Sequence, residues 1–172
     1  MPTASITPSA TAGSATPSAP DLPDDARATI EAAYREMDEA QRAWDPEGTV
    51  AYYDSEVTLG GRPGSRESWT IAARRAFDEL KQLELEVGAN IRLTHITTIA
   101  GFTRLADDRF AVRTEFLSRK VAGRGVYVEE SVGAGKDLWI YARQGWRLKE
   151  REVKWTRTTV NGEPVEEDGH NP

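Results

Sequence analysis

Residues 91–99 read Ile-Arg-Leu-Thr-His-Ile-Thr-Thr-Ile, and this alternation decides the fold class. In an extended strand, every second side chain falls on the same face. One face of this segment therefore carries Ile91, Leu93, His95, Thr97 and Ile99. Because the apolar spacing before Gly88 is helical, we expect helices upstream of this point and a sheet downstream of it.

Three more extended segments follow and predict an antiparallel meander. Asp107-Asp108 marks a turn, and residues 110–117 then alternate again between apolar and polar side chains. The third segment covers residues 126–143, with a bulge or kink at the glycines of residues 133–135. Gln144-Gly145 predicts the turn into a last strand over residues 146–160, closed by Asn161-Gly162. We expect its basic side chains Arg147, Lys149 and Arg151 on a solvated outer face.

Upstream, the chain predicts three helices. Asp24 or Asp25 is suited to cap the first helix, which Asp45-Pro46 ends because a residue before proline avoids the helical region. Its apolar stripe is Ile30, Ala33, Tyr34, Met37, Ala40, Gln41 and Trp44, and its expected solvated face is Glu31, Arg35, Glu36, Asp38, Glu39 and Arg42. A second helix over residues 46–53 precedes a short strand over residues 56–59. The third runs from Ser65 or Ser68 to about Leu83, with Trp69, Ala72, Ala73, Ala76, Phe77, Leu80 and Leu83 as its stripe.

The composition excludes several classes of chemistry. The 172 residues include no Cys and only two His, which rules out disulfides, zinc ribbons, iron–sulfur clusters and thiol catalysis. The sequence also has no phosphate loop, dinucleotide fingerprint or nucleophile elbow. We therefore expect no cofactor and no metal.

The net charge of −6 belongs to the two ends of the chain. All 22 Lys and Arg lie between Arg27 and Arg157, against 21 acidic residues in that stretch. A nearly neutral domain has no long-range field to attract nucleic acid, and no stretch is apolar enough to span a membrane. We therefore expect neither nucleic acid nor a membrane as a partner.

Composition also predicts the domain boundaries. Residues 1–23 consist almost entirely of Pro, Thr, Ala, Ser and Gly and are expected to be a disordered tail. Residues 24–162 form one α+β domain, and residues 163–172 form an acidic flexible tail. The first residues do not resemble a signal peptide, so we expect a cytoplasmic protein, or an exported one if a signal precedes this sequence.

The order of these elements resembles the nuclear transport factor 2-like superfamily, and within it the SnoaL-like and DUF4440-like small bacterial proteins. Three stretches carry the resemblance: residues 51–59, Ala-Tyr-Tyr-Asp-Ser-Glu-Val-Thr-Leu; residues 137–148, with Asp-Leu-Trp-Ile-Tyr and Gly-Trp-Arg-Leu; and residues 159–164, Thr-Val-Asn-Gly-Glu-Pro. The resemblance implies a cone, in which a strongly curved antiparallel sheet packs around three N-terminal helices and leaves an apolar pocket. It implies no particular activity, because this fold serves isomerases, dehydratases, cyclases, hydrolases, binders and docking proteins.

Two functions follow from this reading. The first is a pocket that binds a small apolar, carbonyl-bearing ligand, with or without cofactor-free isomerase, dehydratase or cyclase activity. The second is a non-catalytic interaction protein that dimerises through its sheet face. We expect a homodimer because the family resemblance implies one. The aromatic crowding of the last hairpin points the same way, and consists of Trp139, Tyr141, Trp146 and Trp155.

Three residues are candidate catalytic groups. His95 lies on an apolar strand face, and its usual pKa near 6.5 suits a general base at neutral pH. Glu115 and Glu129 lie on polar strand faces and could act as carboxylate bases if they point into the hollow. The alternatives are a hydrogen-bonded histidine at the edge of the core and surface ion pairs.

Five further residues are candidates for substrate binding. Arg113 shares a strand face with Glu115 and could orient an anionic group. The helical aromatics Tyr34, Trp44, Tyr53 and Trp69 could shape an apolar pocket while each offers one hydrogen bond. Core filling by the aromatics and a solvated surface position for Arg113 are the competing interpretations.

Overall fold

A computed structural model of the protein describes residues 26–123 and 127–165. It contains the helices α1 (Ala26–Arg42), α2 (Pro46–Thr49) and α3 (Arg66–Val87). The strands are β1 (Tyr53–Leu59), β2 (Arg62–Ser65), β3 (Ile91–Ala106), β4 (Arg109–Ala122), β5 (Tyr127–Ala142), β6 (Gly145–Val160) and β7 (Glu163–Pro164). The expected tails fall largely outside the described residues, as do Asp24 and Asp25.

The strands form one curved open sheet with the order β2-β1-β6-β5-β4-β3, and β7 pairs with β6. All neighbours are antiparallel except β1 and β6, which are parallel. The long strands β3 to β6 are consecutive in sequence and joined by short turns or a short loop, which is the predicted meander. The α+β class and the cone-shaped arrangement are therefore confirmed.

Helix α1 packs its apolar stripe into the hollow of the sheet. Ile30, Ala33, Tyr34 and Met37 are buried, as the helical spacing predicts. The expectation that Asp38 lies on a solvated face is wrong, because this side chain is buried as well. Its carboxylate is satisfied by the adjacent strand, where it accepts hydrogen bonds from the backbone N–H and the hydroxyl of Thr97.

The segment after α1 is less helical than its sequence suggests. Asp45 caps α2 by accepting hydrogen bonds from the backbone N–H groups of Glu47 and Gly48, but the helix ends at Thr49. Tyr53 therefore begins β1 and does not belong to a helix. Gly60 and Gly61 both have positive φ and form the turn of the β1–β2 hairpin.

Helix α3 lies at the edge of the sheet, where it contacts α2, β1 and β2. Ser65 caps its start by accepting from the N–H of Ser68, and Gly88 ends it in the left-handed conformation. Within this helix only Phe77 is buried, and Leu83 is 40% exposed. The predicted apolar residues of α3 therefore have helical spacing, but most of them stay partly exposed to solvent. No helix in the described ranges is long and apolar enough to cross a membrane.

The two faces of the sheet differ sharply. Val112 and Thr114 of β4 are buried under the helices, whereas Arg113 and Glu115, which alternate with them, are exposed on the outer face. Trp139 and Trp146 are buried in the core, and Tyr141 packs against them. Of the four aromatic residues of the last hairpin, Trp155 alone remains largely exposed, at 53%. Three of the four crowded rings therefore contribute to the core, and only Trp155 among them is available to an outer-face interface.

A β-bulge in β6 reverses the expected direction of Arg151. Trp139 of β5 pairs with Leu148, whereas the preceding residue, Leu138, pairs with Glu150. The extra residue, Lys149, places both Leu148 and Arg151 on the inner face, although three positions separate them. Arg151 therefore points into the hollow, and its assignment to a solvated outer face is wrong.

Candidate functional site

A cavity of about 180 Å³ opens on the inner face of the sheet beside α1. Four strands supply its walls: His95 and Thr97 from β3, Thr114 and Phe116 from β4, Gly135 from β5, and Arg151, Glu152 and Val153 from β6. The period-two pattern of residues 91–99 places His95 and Thr97 on this face. The bulge in β6 brings Arg151 to the opposite wall.

His95 and Asp38 form a pair at one wall of the cavity. The imidazole Nε2 lies 3.8 Å from Asp38 Oδ1, and the two side chains are 17% and 10% exposed. Thr97 holds the carboxylate, with 2.6 Å from its backbone N to Oδ2 and 2.9 Å from its hydroxyl to Oδ1. The ring of Phe116 stacks near the imidazole with 6.2 Å between centroids. The pair is therefore held in place by α1, β3 and β4.

The electrostatic surroundings keep His95 neutral. Burial lowers the pKa of His95 below its usual value of 6.5; Asp38 opposes this shift, while Arg151 and Arg42 add to it. The buried Nδ1 has no hydrogen-bond partner within the described ranges. His95 lines the cavity, and a neutral imidazole is able to act as a general base toward a bound molecule.

Arg151 is fixed at the opposite wall by a buried carboxylate. Asp137 is fully buried and accepts from Arg151 Nη2 at 2.7 Å and from Arg151 Nε at 3.1 Å. The hydroxyl of Tyr34 donates to Asp137 at 2.6 Å and accepts from the indole N–H of Trp139 at 2.8 Å. This network holds the guanidinium in one orientation, while 28% of the Arg151 side chain stays exposed.

The protonation states of this network are fixed by burial and by its ion pair. Burial alone would lower the pKa of Arg151, but the carboxylate of Asp137 raises it well above its usual value. Burial and the charge of Asp137 raise the pKa of Tyr34, and burial raises that of Tyr53. Arg151 therefore supplies a permanent positive charge, and both phenols stay protonated.

The structure brings together only part of the predicted site. His95 lines the cavity, whereas Glu115 and Arg113 lie on the outer face, separated from it by the sheet. Glu129 is on the inner face beyond the cavity, where Lys120 and Tyr127 donate to it. Burial would raise the pKa of Glu129, but these two hydrogen bonds outweigh it and leave the pKa lowered. Glu129 is thus a paired carboxylate and a poor base.

The four aromatic candidates occupy different places. Tyr34 belongs to the polar network behind Arg151, and Tyr53 is buried in the core near it. Trp69 packs against that core from α3. Trp44, half-buried, follows the end of α1 and is not among the residues that line the cavity. Core filling, the competing interpretation, describes Tyr53 and Trp69.

Sequence reasoning missed Asp38, Asp137 and Arg151 as members of the site. Asp38 follows Tyr34 by four positions on α1, so it shares the edge of the buried stripe; that spacing was the available signal. Asp137 alternates with Trp139 and Tyr141, which placed it on an aromatic face. Only the bulge determines the direction of Arg151. The described residues contain no group of three or more His, Asp or Glu able to hold a metal ion.

The helices packed against a curved sheet give this chain the cone-shaped fold of nuclear transport factor 2-like proteins. The sequence matches no protein-family model and no curated protein. The predicted resemblance is confirmed at the level of the fold by solved structures.

Three solved structures illustrate the likeness. A candidate scytalone dehydratase from Novosphingobium aromaticivorans is 15% identical with a TM-score of 0.61, over 78% of this chain and 89% of that one. ActVI-ORFA from Streptomyces coelicolor is also 15% identical, with a TM-score of 0.61 over 77% and 96%. A candidate aromatic ring hydroxylase from Novosphingobium aromaticivorans is 13% identical, with a TM-score of 0.58 over 78% and 92%. At these identities the likeness shows the fold and not the activity.

Proposed function

We propose that this protein is a cofactor-free lyase or isomerase, in which His95 removes a proton from a small carbonyl-bearing ligand. The observation that carries the proposal is the placement of a neutral imidazole and a fixed guanidinium on opposite walls of one small cavity. A base and a positive charge that converge on one space are what proton abstraction next to a carbonyl requires.

The proposed reaction assigns one step to each side chain. His95 takes a proton from the carbon next to the carbonyl, and the C–H electron pair moves into an enolate whose oxygen lies against Arg151. Asp38 stabilises the imidazolium that forms. The imidazolium then returns its proton to another carbon, which is isomerisation, or gives it to a β-hydroxyl that leaves as water, which is dehydration. Both reactions conserve atoms and electrons without a cofactor.

The size of the cavity limits the ligand. Its volume is about 180 Å³. Pockets for larger organic ligands usually exceed about 300 Å³. Phe116 and Val153 add apolar surface to the polar walls. A ligand with a single ring and one or two oxygens fits these limits.

The proposal is tested by deuterium exchange on a panel of single-ring enones and β-hydroxyketones. In heavy water, removal of a proton next to the carbonyl exchanges it for deuterium, which mass spectrometry detects without knowledge of the product. We expect exchange faster than in buffer for some members, and a loss of about 10²-fold or more in His95→Gln. Glu115→Gln, a carboxylate change on the outer face, is the matched control and should retain the parent rate.

Three results would overturn this proposal. Exchange that persists in His95→Gln at the rate of Glu115→Gln removes His95 as the base. If members of the panel raise the melting temperature but none exchanges faster than in buffer, the protein binds such ligands without catalysis. A panel with no binding member rules out the ligand class.

A row of apolar side chains on the outer face favours a second role, self-association. Ile96 pairs with Leu117 and Leu117 with Val132, so these three side chains lie side by side across the sheet. Trp155 lies on the same face beside them, and Ile96 and Trp155 are 44% and 53% exposed. Contiguous exposed apolar surface of this kind usually marks an interface, and we propose a second copy of the chain as its occupant.

Light scattering tests the dimer at micromolar concentration. The parent should have twice the mass of the 19.0 kDa chain. The double variant Trp155→Lys and Ile96→Lys should have the mass of a monomer. Leu85→Lys changes a side chain on α3 that is 75% exposed and should leave the dimer intact. A parent with the single mass would contradict the proposal.

A further inference from the structure

A second cavity of about 180 Å³ lies away from the His95 site, where the β5–β6 turn meets the start of α3. Three arginines from different elements line it: Arg66 opens α3, Arg143 precedes the turn residue Gln144, and Arg147 lies on β6. Tyr53 and Asp54 of β1 complete the wall. Arginine supplies three of the eight lining residues, although the domain as a whole is nearly neutral.

The positive charge of this cavity is not balanced by its own residues. Arg66 and Arg143 make no ion pair and no side-chain hydrogen bond within residues 26–123 and 127–165. Asp54 is the one carboxylate of the lining, and Lys149 Nζ already binds it at 2.9 Å. Burial would raise the pKa of Asp54, but that bond and the backbone N–H of Ser55 leave it lowered. Asp54 therefore stays ionised and committed to Lys149.

Arg147 is held in place by contacts that leave donors free. Its guanidinium carbon lies 5.9 Å from the centre of the Tyr52 ring, and its Nη1 donates to the carbonyl of Trp146. Burial lowers the pKa of Arg147 and the nearby charge of Arg66 lowers it further, which outweighs the opposing effects of Tyr52 and Asp54. Two guanidinium groups that repel each other at the rim of a cavity are stabilised when an anion binds between them.

We propose that this cavity is a second binding site, which takes a small oxyanion such as a phosphate or carboxylate group between Arg66, Arg143 and Arg147. Each guanidinium offers paired N–H donors that match the oxygens of such a group. Tyr53 is buried and lies near Arg151 and Asp137, but no residue that the structure describes lines both this cavity and the cavity of His95. The anion site does not rest on the proposed reaction of His95.

Calorimetric titration with inorganic phosphate, and separately with succinate, tests the site at constant ionic strength and pH 7.5. We expect saturable binding of one anion per chain, weakened about tenfold or more in Arg66→Gln and in Arg143→Gln. Arg113→Gln removes an equal charge from the exposed outer face and is the matched control. Tighter binding of phosphate indicates a phosphoryl group, and tighter binding of succinate indicates a carboxylate.

Heats that do not saturate with either anion would overturn the proposal. Equal affinity in the parent, Arg66→Gln and Arg143→Gln would do the same, because binding would then be non-specific. Circular dichroism of the two variants separates a lost site from a lost fold. Neither substitution touches the cavity of His95, so failure here leaves the deuterium-exchange test unaffected.

Discussion

Replacing Arg151 by methionine should destabilise the protein strongly, because it leaves a buried carboxylate without its counter-charge. Asp137 is fully buried and accepts hydrogen bonds from Arg151 Nε, Arg151 Nη2 and the Tyr34 hydroxyl. Methionine preserves most of the volume of the side chain but none of its donors. In this variant Asp137 retains only the bond from Tyr34.

The magnitude follows from the burial of the pair. Removal of one partner of a buried ion pair costs about 3–5 kcal/mol, because the remaining charge is neither paired nor hydrated. Asp137→Leu should cost less, about 2–3 kcal/mol, since Arg151 is 28% exposed and the cavity can hydrate it. With a urea m-value of about 2 kcal/mol per M, Arg151→Met moves the midpoint by about 1.5–2.5 M.

The double variant separates the charge effect from the packing effect. Asp137→Leu with Arg151→Met removes both charges, and the remaining loss is the acceptor of the Tyr34 hydroxyl, at about 1–2 kcal/mol. We therefore expect the double variant to be more stable than Arg151→Met alone. The sum of the single losses should exceed the double loss by about 3 kcal/mol or more.

Equilibrium urea unfolding at pH 7, followed by tryptophan fluorescence, measures all four proteins. A loss below about 1 kcal/mol in Arg151→Met, or single losses that simply add in the double variant, would refute the reasoning. Either result would mean that Asp137 does not depend on Arg151 for its charge.

Three further outcomes are expected. Burial, Arg151 and Arg42 lower the pKa of His95 below 6.5, and Asp38 only partly opposes this shift. As the pH falls, the imidazole is therefore protonated in the unfolded chain before it is protonated in the folded protein. The free energy of unfolding of the parent, relative to that of His95→Gln, should fall below about pH 6.5 and stay constant above it. A parent that gains stability relative to His95→Gln as the pH falls below about 6.5 would contradict this sign. Gly133→Ala should lower the free energy of unfolding by about 1–3 kcal/mol, because the added Cβ would lie 2.6 Å from the carbonyl oxygen of Trp155. An unchanged urea midpoint would show that the strand can move to accept the methyl group. Deletion of residues 1–23 should leave the melting temperature unchanged. Ordering this segment would cost about 1–2 kcal/mol per residue, which its composition cannot offset. A drop of several degrees would mean that the segment packs on the domain.

Local patterns in the sequence are enough to predict the fold class, the first helix and the long strands. The alternation of residues 91–99 and 110–117 requires extended chain, because only a period of two places their apolar side chains on one face. The helical stripe from Ile30 to Met37 requires α1, and Asp45-Pro46 ends it. These signals are local, so they can be recognised without knowledge of which strands pair. His95 could also be singled out, because a lone imidazole on an apolar face is recognisable from its neighbours in sequence.

Which of the polar residues meet depends on strand register and on which face of the sheet the helices cover. Glu115 and Arg113 differ from Thr114 by one position, and the choice between the two faces depends on the side that α1 covers. Arg151 reaches Asp137 because one extra residue in β6 reverses the alternation, and a bulge depends on the register with β5. Asp38 is buried because Thr97, 59 residues later, satisfies its carboxylate. Pairing and burial of this kind arise from contacts between distant segments, which no local pattern records.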